Sequence, residues 1–202
     1  MRSLILSVLF TLSSITAQAQ VAGEQFAKIG PFLLESSNLK AVQRVLGHSK
    51  LIETGEAGDY EAVIHYQAKG GFVSFYSNEM GGLENQLLGF SVRKSLKGSA
   101  REKVPKLKRQ FSLNVAGIHL GMTRSEFERV LAVPVEWNGN EGHVYFSTKV
   151  PMSESEIQKS EMAQDELRRT GGPLFYDASV SVTGTFDQDH LQGFKIWKVT
   201  TF

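Results

Sequence analysis

Phe127-Glu128-Arg129-Val130-Leu131 restates, 85 residues downstream, the pattern of Val42-Gln43-Arg44-Val45-Leu46. In both stretches apolar side chains recur at helical spacing around an arginine, which predicts a short amphipathic helix in each. Thr123-Arg124-Ser125-Glu126 supplies the start of the second helix. It is a capping box, in which the Thr hydroxyl accepts from an otherwise unpaired backbone N–H and the Glu reaches back to the Thr N–H. Ahead of the first helix Ser36, Ser37 or Asn38 can cap, Leu39, Val42, Val45 and Leu46 form the apolar stripe, and Gly47 stops it. Helices of about two turns do not persist alone in water, so each must lie on a sheet.

A second match supplies the sheet. Gly89-Phe90-Ser91-Val92-Arg93-Lys94 returns as Gly193-Phe194-Lys195-Ile196-Trp197-Lys198 at an offset of 104. Alternation of period two predicts strands there, with Leu88, Phe90 and Val92 in one, and Phe194 and Ile196 in the other, facing the helices. The same reading turns Val144 and Phe146 inward from a strand over 143–150, and Tyr176, Ala178, Val180 and Val182 inward from one over 175–186. Strands over 59–68 and 71–78, joined at Gly70-Gly71, complete the first copy, and a strand over 111–118 leads into the second helix. The two offsets differ by 19 residues, which places a helical insert at 153–170. The expected fold is α+β: two tandem units, 20–94 and 111–202, each a short helix packed on an antiparallel β-meander, with one continuous curved sheet shared by both as an open arrangement. A basic linker, 95–110, joins them.

Ala116-Gly117-Ile118-His119-Leu120-Gly121-Met122-Thr123-Arg124-Ser125-Glu126-Phe127 resembles the repeat unit of the β-lactamase-inhibitor-like proteins and the small outer-membrane assembly lipoproteins. The resemblance implies the helix-plus-meander fold and a non-catalytic, protein-binding role. It transfers no functional residue, because fold does not carry function. The first copy departs from the motif, reading Ile29-Gly30-Pro31-Phe32-Leu33-Leu34-Glu35 where the second has Leu-Gly-Met-Thr. The lipoprotein branch would also need a cysteine, and the chain has none.

The address is read from the first 19 residues. Arg2, the apolar run Leu4 to Phe10 and Ala17-Gln18-Ala19 follow the order of a secretory signal, cleaved after Ala19. Serine and threonine interrupt it too often for a membrane span. The expected location is the bacterial periplasm or the external medium. Without cysteines the domain rests on its apolar core alone. A net charge of +1, part of it from Arg2, gives no global case for nucleic acid or a membrane as partner.

Catalytic signatures are missing: no nucleophile elbow, no phosphate loop, no His-Glu-x-x-His helix. His48, His65, His119, His143 and His190 are dispersed, so neither metal nor cofactor is expected. Asp187 and Asp189 read as turn residues. The run 93–109 holds eight Lys or Arg against one Glu. It reads as solvated linker, with the acidic insert (Glu154, Glu156, Glu161, Asp165, Glu166) as an internal counter-charge. The alternation leaves Phe72, Tyr76, Tyr145 and Trp197 on the sheet face away from the helices. Aromatic patches of this kind mark interaction surfaces, so these four are the candidate partner-binding residues. The expected function is a non-catalytic binder of an envelope or exported protein. A small-molecule or lipid carrier with a pocket under the insert is the alternative, and an envelope-polymer hydrolase ranks third.

Overall fold

A computed structural model describes residues 23–96, 104–107 and 110–202. The expected signal segment and most of the basic run lie outside these residues. The chain begins with a 3-10 turn, Glu24–Phe26, and a two-stranded ribbon, β1 (Lys28–Ile29) and β2 (Phe32–Leu33). Then come α1 (Leu39–Leu46), β3 (Ile52–Thr54), β4 (Glu61–Ala68), β5 (Gly71–Asn78) and β6 (Gly89–Arg93). The same order recurs downstream as α2 (Arg124–Leu131), β7 (Glu136–Asn138), β8 (Glu141–Pro151), β9 (Phe175–Asp187) and β10 (His190–Thr201). Between β8 and β9 lie α3 (Glu154–Lys159) and α4 (Glu161–Thr170).

Local chemistry accounts for the helix boundaries. Asn38 caps α1, its side chain accepting from the Ala41 N–H at 2.8 Å, and Gly47 ends it at φ 97°. Thr123 and Glu126 make the full capping box of α2. The α1 stripe is narrower than expected, because Val45 is 56% exposed while Leu39 and Val42 are buried. At 100° per residue, position 45 falls on the solvent shoulder of a helix whose contact line runs through 39, 42 and 46.

The eight longer strands form one antiparallel sheet in the order β3-β4-β5-β6-β10-β9-β8-β7. Its seam is the pair β6–β10, the two segments that match in sequence. Ser91 faces Lys195, and on either side Phe90 pairs with Ile196, Val92 with Phe194, Gly89 with Trp197 and Arg93 with Gly193. Matched residues therefore meet crosswise, as about a local two-fold axis through Ser91 and Lys195. One face carries the core: Ile64, Tyr66, Val73, Phe75, Phe90, Val92, Val180, Val182 and Ile196 are fully shielded, and Phe127 of α2 packs edge-to-face on Phe186. Burying one such large side chain contributes about 1.5–3 kcal/mol, which allows a cysteine-free domain to be stable.

Three expectations are corrected. The stretch 111–118 is not a strand: it makes only a bridge between Val115 and Ile118, around positive φ at Ala116 (47°) and Gly117 (95°). Phe111 and Leu113 pack on the core from outside the sheet, so their alternation reports burial, not pairing. The β4–β5 turn is Lys69-Gly70, since Gly71 already pairs with Ala68. The linker is also not wholly solvated. The Leu107 N–H donates to the Gln67 carbonyl at 2.8 Å, the Gln67 N–H donates to the Pro105 carbonyl at 2.9 Å, and Leu107 packs on the core.

Candidate functional site

The register of the sheet decides which side chains share its outer face. One transverse row runs Val63, Tyr76, Gly89, Trp197, Ser181, Tyr145 across β4, β5, β6, β10, β9 and β8. The next runs His65, Ser74, Ser91, Lys195, Thr183, His143. Phe72 lies one row further, between Gln67 and Arg93. All four aromatics named from sequence thus occupy the face opposite the helices.

They do not form one patch. Tyr76 and Trp197 come together at a ring separation of 6.1 Å because Gly89 lies between them with no side chain. A Cβ there would stand 2.0 Å from the Trp197 ring. Tyr145 shares the row but sits two strands beyond Trp197 and is 74% exposed. Phe72 is half-buried and makes no ring contact with the other three.

The residue that completes the pair is Lys195, which the aromatic alternation passed over although it shares the parity of Trp197. Its Nζ stands 4.7 Å from the centre of the Tyr76 ring and 4.6 Å from that of Trp197, within reach of both π faces. Glu61 is its carboxylate partner at 3.9 Å. Burial holds the Lys195 ammonium below its usual range; Glu61 opposes that shift and the Arg93 charge adds to it. His65 is likewise lowered, by burial first and then by Arg93. Beneath these groups lie hydroxyls: Tyr76 Oη is 3.0 Å from Ser91 Oγ, and His65 Nδ1 is 2.7 Å from Ser74 Oγ. The second half repeats the latter contact, with His143 Nδ1 3.1 Å from Thr183 Oγ1.

Beside the stack opens a cleft of about 440 Å³ whose walls include Asp59, Tyr60, Glu61, Glu79, Lys195 and Trp197. Tyr60 donates to Glu53 at 2.6 Å, a bond that raises the phenol's pKa. Polar and apolar groups line the cleft in about equal measure, and no insert residue lines it. The insert builds its own small cluster from Met152, Ala163 and Leu174. Its helix α4 pairs Asp165 with Arg168 and Glu166 with Arg169. Among the described residues these carboxylates form no ion pair with the linker.

Chemically the face offers the π surface of Trp197 and Tyr145, one cation set against the Tyr76 and Trp197 rings, and buried hydroxyls; Tyr76 itself is only 9% exposed. Ser74 is 2% exposed and Ser91 1%, so the His65–Ser74 pair presents no nucleophile to a substrate. Among the described residues no three His, Asp or Glu are grouped to hold a metal ion. Asp189 lies in the β9–β10 turn at φ 68°, 3.9 Å from Arg124.

No protein-family model matches the chain, and no curated protein matches it. Among solved structures it is similar to a chain from Streptococcus mutans described as a "putative beta-lactamase inhibitor protein", with 10% identity, 82% of each chain covered and a TM-score of 0.25. A likeness of that size assigns neither fold nor activity.

Proposed function

We propose that this protein is an exported, non-catalytic binding module that recognises another protein through the outer face of its sheet. The observation that carries the reading is the cluster of Tyr76, Lys195 and Trp197, whose two rings share one transverse row with the exposed Tyr145. Tyr and Trp combine large rigid area with low ordering cost, which is why they dominate interface energetics. Here the two rings are also held in place before any partner arrives, by Gly89 beneath them and Lys195 against both. Preorganisation of this kind lowers the cost of association. The signal-like N-terminus supports delivery across the bacterial inner membrane, and an envelope or exported protein as partner.

Crosslinking of a tagged chain in cells, with mass spectrometry of what is captured, tests the reading. A dominant protein partner that is lost in Tyr76→Ala/Trp197→Ala, with the fold intact by circular dichroism, is the expected result. Absence of any captured protein would overturn it. A second reading, a carrier of a small molecule, is favoured by the cleft beside Trp197. That reading expects the same double substitution to release a co-purifying small molecule and no protein.

A further inference from the structure

The half of the sheet made by β3 to β6 is electrically polarised along its strands. At one end stand Glu53, Glu56, Asp59, Glu61, Glu79 and Glu84, on or next to the β3–β4 loop and the end of β5. At the other end stand Lys69 in the β4–β5 turn, Arg93 and Lys94 where β6 finishes, and Lys106 on the outer edge of β4. Register ties two of these cations into one line: Lys106 bridges to Gln67, Gln67 pairs with Phe72, and Phe72 pairs with Arg93. Lys69, Arg93, Lys94 and Lys106 are all exposed, and none forms an ion pair among the described residues.

We infer that this basic end of the sheet docks an acidic segment of a partner protein, its carboxylates set along the line Lys106–Gln67–Phe72–Arg93. The inference rests on the protein-binding reading above and specifies the partner's chemistry. Three strand spacings separate Lys106 from Arg93, about 14 Å. An extended segment rising about 3.3 Å per residue covers that distance in about four residues, so two acidic side chains four apart match the two outer cations. The acidic end repels the same segment and so confines it to the basic end. The charges suit a protein better than a lipid surface. Among the described residues no exposed large hydrophobic lies on the line itself, which leaves no described side chain on it to enter a bilayer. Phe72 is the one aromatic on the line and is half-buried, whereas single-stranded nucleic acid needs successive stacking platforms.

The test is an NMR titration of the full chain with a hexaglutamate peptide at low salt, alongside phosphatidylglycerol-containing vesicles and the variant Lys69→Ala/Arg93→Ala/Lys106→Ala. The expected result is a set of amide shifts centred on Lys106, Gln67, Phe72 and Arg93, with affinity reduced at least about tenfold in the triple variant and weakened by salt. No shifts, shifts centred elsewhere, an unaffected triple variant, or binding to vesicles but not to peptide would each overturn the inference. In-cell capture with the same variant separates this inference from the broader reading. A partner retained by the triple variant yet lost in Tyr76→Ala/Trp197→Ala sinks the acidic-segment inference and leaves the reading standing. Capture of no protein sinks both.

Discussion

Gly89 shows how much a single residue decides here. Trp197 rests where a side chain at 89 would be, so Gly89→Ala must displace the indole or bend β6. Overpacking of this kind costs about 1–3 kcal/mol. Urea denaturation should show the loss, with a shift in tryptophan emission at zero denaturant; unchanged emission would mean that the ring does not depend on the glycine. His65 makes a second prediction. Burial and the Arg93 charge lower its folded pKa, so the unfolded chain binds the proton more readily. The stability this neutral imidazole contributes is present above about pH 6.5, the ordinary His value, and is lost as pH falls from there toward the folded value. His65→Gln should remove that component from the stability profile between pH 8 and 5, and a superimposable profile would refute the assignment.

Among the elements, the helices were the most legible in sequence. A cap, two or three apolar residues at helical spacing and a glycine stop define α1, and the capping box of α2 appears in the structure atom for atom. Removing the hydroxyl half of that box with Thr123→Ala should cost about 1 kcal/mol and raise the Glu126 carboxyl only part of the way to its ordinary pKa, since the backbone N–H of residue 123, the largest cause of the lowering, still donates to it. Thermal melts and a carboxylate NMR titration would check both. The long strands were legible for a related reason, as their alternation extends over five or more residues. The short edges β3 and β7 were not, because three residues that are mostly exposed carry no pattern. Residues 111–118 misled in the opposite direction: the apolar side chains of a non-strand segment that packs on the core alternate as a strand's would.

For the whole molecule, the sequence matches placed two helix-plus-meander stretches in tandem and left a shared sheet open, but nothing in them said that the seam would run along β6 and β10. Nor did they reveal Lys195, whose position matters only once β5 and β10 lie on either side of Gly89. A contact of the same long-range kind fastens the N-terminal segment. Lys198 of β10 is 13% exposed and reaches Glu24 at 3.0 Å and Glu35 at 3.4 Å, while Thr200 donates to Glu35 at 2.8 Å. Lys198→Ala leaves two shielded carboxylates without their cation and should cost about 2 kcal/mol, below the range for a fully buried pair. Faster amide exchange at residues 24–27 would accompany the loss, and unchanged exchange there would contradict the clamp.

The claim that the outer sheet face is the working surface is most directly tested by site-specific photo-crosslinking in cells, with the photoreactive residue placed at Tyr145 on that face or at Leu167 on the insert. The account predicts a discrete crosslinked protein from position 145 and none from 167. A product from 167 with nothing at 145 would move the interaction to the insert and contradict the claim.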